Sequence, residues 1–232
     1  MRDDDVHVIR EIPPFSILSD EHFDDLFKMA YLQRFPDRVQ LIEEGDPADF
    51  LHVVVEGTVE LFSSLDDREA TMFVYRPVSI YNLSAVLNND VYLVSARTLG
   101  NATVLMIPAD ELRKTMDKDL IFAHAMVKEL SKRYGFLIST YRDYRLRNGV
   151  ERLANYLLRL NKQTSGRGHI ELPVDKRTLA ALLGMTPEYL SRAFGTLKKH
   201  GVEVNGRKIS LTNLKRLNRL AKPDQLNDNR AI

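Results

Sequence analysis

Apolar residues between positions 176 and 199 recur at steps of three and four, interrupted by one glycine. The recurring positions are Leu179, Leu182, Leu183, Leu190, Phe194 and Leu197. This spacing is typical of the buried faces of two helices. Gly184 permits a left-handed turn between them, and Thr186-Pro187 supplies a cap and a first helical residue for the second helix. The pattern therefore predicts two helices that cross around a tight turn.

The second helix of this pair carries polar residues on the side opposite its apolar stripe. They are Thr186, Glu188, Tyr189, Ser191, Arg192, Thr196 and Lys198. A helix-turn-helix would present this face to the major groove of DNA, whereas an ordinary helical hairpin would leave it solvated. Residues 202–211 then alternate apolar and polar positions around Asn205-Gly206, which predicts a β-hairpin. With Arg207 and Lys208 at its tip, within reach of a phosphate, the hairpin favours a winged helix-turn-helix.

Residues 32–107 change to short apolar runs separated by turn residues, as in a small all-β roll or barrel. A Gly-Asp-Pro sequence at residues 45–47 marks one turn, and residues 65–68 mark a later hairpin. Gly57 divides a long β-branched run into two strands. Ahead of this region, the pattern of residues 12–30 predicts short helical pieces. The chain therefore combines an N-terminal β-structure with a C-terminal helical part.

Residues 110–160 are predicted to be helical, with an apolar seam that alternates steps of four and three residues. The seam consists of Ala123, Val127, Leu130, Tyr134, Leu137, Tyr141 and Tyr144. Phe122, Met126 and Ile138 form an adjoining face that can pack against the β-structure. Since a helix with two apolar faces has two partners, the seam is either the interface of a parallel homodimer or is buried within one chain. Asn148-Gly149 is a candidate hinge before the next helix.

The composition indicates a soluble globular protein, because 44% of the 232 residues are hydrophobic and 28% are charged. The chain contains no apolar run of about eighteen residues. Its N-terminus lacks the apolar core of a signal peptide, so we expect a cytoplasmic protein that does not bind membranes. Cysteine is absent, which excludes disulfides, thiolate metal sites and a cysteine-ligated iron–sulfur cluster. No P-loop, nucleophile elbow, metal-ligand spacing or paired-carboxylate motif appears, so we expect neither an enzyme nor a metal site.

Charge is divided unevenly along the chain. Residues 142–232 carry 19 Lys and Arg against 8 Asp and Glu, whereas residues 1–141 carry 14 against 24. A basic C-terminal part suits a polyanionic partner, which would repel the acidic N-terminal part. The division predicts a nucleic-acid-binding module that follows a regulatory module. The polar tail after Pro223 is expected to be frayed.

Two motifs, taken together, resemble those of a known family. Residues 45–49 (Gly-Asp-Pro-Ala-Asp), followed by residues 55–59 (Val-Glu-Gly-Thr-Val), look like the cyclic-nucleotide-binding β-roll. With the winged helix-turn-helix, residues 15–220 resemble the regulators of the cyclic-AMP receptor protein/FNR (CRP/FNR) family. The resemblance implies an α+β fold with a sensor β-roll at residues 1–117, a dimerisation helix at 118–147 and a winged helix-turn-helix DNA-binding domain at 148–232.

The same resemblance implies a homodimeric transcription regulator, an activator that recruits RNA polymerase. The rival interpretation is a cyclic-nucleotide-binding regulatory protein whose C-terminal domain contacts other proteins. Residues 186–192 are similar to the E-x-x-S-R pattern of the FNR-like branch, which makes Glu188, Ser191 and Arg192 the expected base readers. Pro187 stands where the cyclic-AMP receptor protein has Arg. We therefore expect an inverted repeat resembling TTGAT-N4-ATCAA, with half-sites about one helical turn apart.

Cyclic AMP is not the expected effector, because the residues by which the family binds it are replaced. Tyr81-Asn82 and Tyr92-Leu93 align with the Gly-Glu and Arg-Ser pairs of the cyclic-AMP pocket. Arg97 lies nearby, but no serine follows it. The absence of cysteine also excludes the oxygen-sensing cluster of FNR. With both of these sensor types set aside, the chain resembles the cysteine-free FNR-like regulators, which include nitric-oxide-responsive regulators of denitrification.

The expected effector pocket is lined by Tyr75, Tyr81, Asn82, Tyr92, Arg97, Leu137 and Ile138. An apolar lining with a few hydrogen-bonding groups suits haem or a small aromatic molecule better than a nucleotide. His7, His52 and His124 are the nearest candidate haem ligands, and the alternative for each is an ordinary surface or packing residue. The sequence therefore leaves three alternatives for the molecule bound in this pocket: haem, an organic effector, or none.

Overall fold

The computed structural model describes residues 3–66, 68–164 and 166–224 of the chain. They form two compact units that meet between residues 132 and 133. This boundary falls inside a long helix, and the predicted limits of a separate dimerisation segment, residues 118–147, remain a prediction. The tail expected to be frayed, residues 225–232, lies outside the described residues.

The described helices fall into an N-terminal set, a long central helix and a C-terminal set. They are α1 (Asp3–Arg10), α2 (Asp20–Phe27), α3 (Leu83–Asn88), α4 (Ala109–Lys118), α5 (Leu120–Leu146), α6 (Gly149–Gln163), α7 (Lys176–Leu182), α8 (Pro187–Lys198) and α9 (Leu214–Ala221), with a short 3₁₀ turn at Phe15–Ile17. None of these helices combines the length and the apolar composition needed to cross a membrane.

The described strands fall into an N-terminal group of eight and a C-terminal group of three. They are β1 (Tyr31–Phe35), β2 (Gln40–Ile42), β3 (Phe50–Glu56), β4 (Val59–Leu65), β5 (Arg68–Tyr75), β6 (Ser79–Tyr81), β7 (Ser95–Thr98), β8 (Ala102–Pro108), β9 (His169–Glu171), β10 (Val202–Asn205) and β11 (Lys208–Leu211). The fold is α+β, as the sequence pattern predicted.

The first unit contains the predicted β-roll, built from two four-stranded antiparallel sheets. One sheet has the order β1-β8-β3-β6 and the other the order β2-β7-β4-β5. Gly57 separates β3 from β4 as expected, with φ at +79°, a value that favours glycine. Val53 and Val59 of these two strands are fully buried in the core between the sheets. The β-branched run thus forms the wall of the roll because its side chains fill that core.

Helices α2 to α5 contribute side chains to the core of the roll. Ser19 caps α2, as predicted, by accepting a hydrogen bond from the His22 backbone N–H at 3.2 Å. Phe122 and Met126, near the start of α5, are fully buried in the core of the roll. The predicted adjoining face of the long helix is therefore confirmed at these two positions. Ile138, assigned to the same face, is 41% exposed instead, because it lies beyond the part of the helix that meets the roll.

The predicted seam of α5 is largely exposed. The exposed members are Val127 at 51%, Tyr134 at 65%, Leu137 at 48%, Tyr141 at 60% and Tyr144 at 41%. Ala123 is half-buried, and Leu130 packs partly against the core of the roll. Burial of the whole seam within one chain, the alternative considered above, does not occur among the described residues.

The second unit contains three helices, α6, α8 and α9, that pack together, with α7 against α8 and a three-stranded sheet of order β10-β11-β9. Helix α6 starts with a complete capping box between Asn148 and Glu151. The hairpin turns one residue later than predicted: Asn205 still pairs with Lys208, so the two loop residues are Gly206 and Arg207. Gly206 has φ at +62° in the first loop position, which is where two-residue type II′ loops favour glycine.

Candidate nucleic-acid interface and sensor site

The turn between α7 and α8 has the geometry of a Schellman motif, in which hydrogen bonds close the end of the first helix. The Met185 N–H donates to the Ala180 carbonyl at 2.9 Å, and the Gly184 N–H donates to the Ala181 carbonyl at 2.9 Å. Gly184 has φ at +61°, as the sequence pattern required. Thr186 then caps α8 by accepting a hydrogen bond from the Tyr189 N–H at 3.2 Å. This is the tight turn of a helix-turn-helix.

Most of the residues proposed to meet DNA share the solvent-facing side of α8. The exposed members are Thr186, Glu188, Ser191, Arg192, Thr196 and Lys198. Leu190, Phe194 and Leu197 lie on the opposite side and are buried. Because this apolar stripe holds α8 against the rest of the unit, the polar face is presented outward on a rigid element. Such a face can enter a major groove.

The carboxylate of Glu188 turns back to the start of its own helix. Hydrogen bonds with its own backbone N–H and with the Thr186 hydroxyl hold the pKa of Glu188 below its usual value, and the charge of Arg192 lowers it further. Among the described residues no ion pair within 4.0 Å joins Glu188 to Arg192. Arg192 lies 5.8 Å from the centre of the Tyr189 ring instead. Its guanidinium therefore remains available for a base edge.

Tyr189 departs from the predicted DNA-facing set. It is half-buried, and its ring packs against Gly149, the first residue of α6, so closely that an added Cβ at Gly149 would overlap it. Asn148-Gly149, the candidate hinge, forms a capped helix start whose glycine leaves room for the ring of Tyr189.

The two predicted wing residues differ in their contacts. Arg207 donates from Nε and Nη2 to the Leu172 carbonyl at 3.0 and 2.8 Å, so its side chain is tied to the chain just after β9. Lys208 is exposed at the start of β11. Of the two, Lys208 is the better placed to reach a phosphate.

In the β-roll, three of the predicted pocket tyrosines form one buried aromatic cluster with a histidine. His52 of β3 stacks on Tyr81 of β6 with ring centres 5.2 Å apart, and Tyr81 stacks on Tyr75 at 5.8 Å. Tyr92 meets His52 edge-on at 6.0 Å, and its hydroxyl donates to the Phe50 carbonyl at 2.9 Å. Stacked rings at these separations leave no slot between them, so a porphyrin does not fit within the stack as it stands.

Two polar atoms of this cluster, and one of the neighbouring residue Asn82, are buried without a hydrogen-bond partner among the described residues. They are Nδ1 of His52, the hydroxyl of Tyr81 and Nδ2 of Asn82. Burial lowers the pKa of His52 to about 4, against an opposing contact with the Phe50 backbone, so its ring is neutral at pH 7. Burial likewise raises the pKa of Tyr81, which keeps its hydroxyl protonated. Unpaired buried polar groups are costly, and a neutral polar molecule could satisfy these.

Arg97 is not brought to this cluster. It pairs with Glu60 on the neighbouring strand, and their side chains lie on the sheet face opposite Leu61 and Ala96, which are in the core. Its guanidinium donates to Glu60 at 2.7 Å and to both carboxylate oxygens of Glu69 at 2.9 and 2.5 Å. An arginine held by two carboxylates on the outer face supplies no counter-charge for a phosphate inside the roll.

The remaining predicted pocket and haem-ligand residues are dispersed. Leu137 and Ile138 belong to the second unit and are partly exposed. His7 and His124 are exposed, unlike the buried His52. Within the described residues no group of three or more His, Asp or Glu side chains is placed to hold a metal ion.

Comparison with family models matches both units. The cyclic nucleotide-binding domain matches residues 32–119, and the Crp-like helix-turn-helix domain matches residues 151–220. The chain belongs to the CRP/FNR family. It is accordingly a DNA-binding transcription regulator of the CRP/FNR type and not an enzyme.

Individual CRP/FNR proteins are similar to this chain at modest identity. The anaerobic regulatory protein of Pasteurella multocida is 24% identical over 222 residues, which cover 87% of this chain and 76% of that protein. FixK2 from Bradyrhizobium japonicum has the same fold with a TM-score of 0.75 and 22% identity, over 84% of this chain and 99% of that one. A CooA mutant from Carboxydothermus hydrogenoformans gives a TM-score of 0.75 at 20% identity, over 91% and 96%.

Within this CRP/FNR fold, sequence reasoning missed how His52 contributes to the sensor cluster. The sequence offered His52 as a haem ligand or as an ordinary surface or packing residue, because an isolated histidine in an apolar run carries no motif. The signal that could have identified it is the pairing of β3 with β6, which places His52 directly opposite Tyr81. That pairing joins residues 29 positions apart and follows from the folded roll.

Proposed function

We propose that this regulator acts as a homodimer that reads an inverted repeat resembling TTGAT-N4-ATCAA. The observation that carries the proposal is the exposed E-x-x-S-R face of α8, in which Arg192 points a guanidinium outward. An arginine in this position suits the O6 and N7 atoms of guanine, and Glu188 suits N4 of cytosine. Dimerisation is supported by the apolar residues that α5 leaves exposed, since a twofold partner would cover them.

Replacing Arg192 by alanine tests the assignment of base reading. We expect Arg192→Ala to weaken binding of the inverted repeat by about 1–3 kcal/mol per contact and to relax preference at one base pair of each half-site. Binding should be measured by fluorescence anisotropy on duplexes with every base at each half-site position.

Lys208→Ala is the matched control for this experiment. Removal of Lys208, as a phosphate contact, should weaken binding of all duplexes alike, and the slope of log K against log salt should fall by about 2, one for each protomer of the dimer. Uniform weakening by Arg192→Ala as well would contradict the base-reading assignment. No salt-dependent binding to any duplex would instead favour the rival function, a regulatory protein that acts through protein contacts.

We also propose that the regulator works in the cytoplasm as an activator that recruits RNA polymerase. Membership of the CRP/FNR family supports this expectation. Transcription in vitro from a promoter that carries the inverted repeat would test it. A rise in transcript supports activation, and a fall makes the protein a repressor.

We propose that the regulator responds to low oxygen or nitrogen oxides through a small uncharged effector, which binds at His52, Tyr81 and Asn82. Three buried polar atoms without partners support a hydrogen-bonding ligand, and the neutral state of His52 and Tyr81 supports an uncharged one. The similarity to an anaerobic regulatory protein supports the class of signal. Cyclic AMP is disfavoured, because a cyclic phosphate here would lack a buried counter-charge.

An absorption spectrum of the purified protein, with and without added haem and nitric oxide, separates the effector classes. We expect no Soret band, because the stacked rings of His52, Tyr81 and Tyr75, with centres 5.2 and 5.8 Å apart, leave no slot for a porphyrin between them. A Soret band that shifts with nitric oxide and is lost in His52→Phe would overturn this expectation and make haem the effector, with His52 as its ligand.

A further inference from the structure

The last turn of α5 is fastened to the helix-turn-helix of the second unit by a tyrosine. The ring of Tyr144 packs on Gly184, the turn glycine, and an added Cβ at Gly184 would come within 2.5 Å of the Tyr144 Cε1 atom. The Tyr144 hydroxyl donates to the Leu182 carbonyl at 2.9 Å. This carbonyl belongs to the final residue of α7, where a helix has unpaired acceptors. Tyr144, which the sequence assigned to the dimer seam, thus contacts the helix-turn-helix directly.

Arg152 of α6 completes this contact from the other side. Its guanidinium lies 5.1 Å from the centre of the Tyr144 ring. Its Nε donates to the Leu183 carbonyl at 3.1 Å, and its Nη1 donates to the Arg147 carbonyl at 2.8 Å. One arginine therefore joins the end of α5 to the turn that precedes α8.

A buried ion-pair cluster anchors the same turn of α5 to the body of the unit. Asp143 is buried and accepts hydrogen bonds from Arg147 at 2.6 Å and from Arg159 of α6 at 3.0 Å. Arg147 also donates to the Lys222 carbonyl, which follows α9, at 3.4 Å. The end of α5 is thus attached to α6, to the turn and to the end of α9.

We propose that Tyr144 is a positioning residue that sets the half-site spacing this regulator accepts. The inference rests on the proposed homodimer, in which each α5 defines the twofold axis and each α8 enters a groove. Tyr144 lies on α5 and contacts the turn directly before α8. It therefore transmits the direction of the dimer helix to the recognition helix, while leaving the base contacts of Arg192 untouched.

The preference for one half-site spacing is a sensitive measure of how firmly α8 is positioned relative to α5. Moving two half-sites one base pair farther apart displaces one of them by about 3.4 Å and rotates it by about 35° around the duplex. A rigid contact between α5 and the turn before α8 permits tight binding at one half-site spacing only. When that contact is lost, neighbouring spacings are also bound, since each recognition helix can then rotate toward its own half-site.

The test compares wild type, Tyr144→Phe and Tyr144→Leu on three duplexes. These carry the same half-sites at the N4 spacing, one base pair closer and one base pair farther apart. We expect wild type to prefer one spacing by about tenfold, Tyr144→Phe to reduce that ratio to about threefold, and Tyr144→Leu to remove it. Tyr31→Phe is the matched control, because Tyr31 lies on β1, outside the seam of α5, is 53% exposed, and its hydroxyl makes no hydrogen bond to another described residue.

Two further measurements make the outcomes separable. Sedimentation must show that the variants remain dimers, and affinity for a duplex with a single half-site must stay close to that of wild type. If both hold and the spacing preference is unchanged in Tyr144→Leu, the positioning role is wrong. If Tyr144→Leu weakens all spacings equally, Tyr144 is merely structural and the inference also fails. If wild type shows no preference for inverted repeats over single half-sites, it is the proposed function that fails.

Discussion

Leu137→Asp is expected to convert the regulator into a monomer and to lower its affinity for the inverted repeat by about 10²–10⁴-fold. Leu137 lies in the middle of the exposed seam of α5 and is 48% exposed. In a parallel dimer the two copies would face each other, so the substitution would place two carboxylates in an apolar interface. Without a dimer, each half-site is bound independently, and the gain from simultaneous engagement is lost.

Lys128→Gln is the matched control for this change. It alters the net charge by the same amount, nine residues earlier on α5, which is on the opposite side of a helix with 3.6 residues per turn. We expect Lys128→Gln to remain a dimer with wild-type affinity. Analytical ultracentrifugation and anisotropy on the inverted repeat measure the two effects. A Leu137→Asp protein that stays dimeric would place the interface elsewhere.

Gly57→Ala is expected to lower the free energy of unfolding by about 3–5 kcal/mol. Two effects combine at this position. Gly57 has φ at +79°, where an L-residue is strained. Its added Cβ would also overlap the Asn101 carbonyl oxygen and lie 2.7 Å from the Cα of Ala102. Both obstacles are backbone atoms, so no side-chain rotation can relieve the overlap.

Gly45→Ala separates the backbone strain at positive φ from the steric overlap of an added Cβ. Gly45 has φ at +94°, but nothing lies within 4 Å of its added Cβ. We expect this variant to lose only about 1–2 kcal/mol, the cost of the backbone conformation alone. Urea denaturation of both variants provides the measurement. Equal losses would show that the approach of β8 to Gly57 does not contribute.

The helix-turn-helix was predictable because its determinants are local. Gly184, Thr186 and Pro187 act on backbone within a few residues of themselves, and the leucine spacing follows from the helical period. The half-buried position of Tyr189 was not predictable, for the opposite reason. Its burial depends on Gly149, 40 residues away, which leaves room for the ring only in the folded unit.

The β-roll shows the same division. Its strand pattern and the turn at Gly57 could be predicted from β-branched runs and glycine. The separation of Arg97 from the tyrosines could not be predicted, because it depends on which face of β7 Arg97 occupies and on the two acids, Glu60 and Glu69, that hold its guanidinium. Alternation along one strand distinguishes two faces but does not say which one is inside.

The sequence alone determined the family, the order of the β-roll, long helix and winged helix-turn-helix, and the polar face of α8, since periodicity, turn chemistry and motifs are properties of neighbouring residues. Only the tertiary structure decided that Tyr144 grips the turn before α8, that His52 and Tyr81 stack with unpaired polar atoms, and that Arg97 faces outward. These features join residues that are distant in the chain, and their energies come from contacts that exist only after the strands and helices have packed.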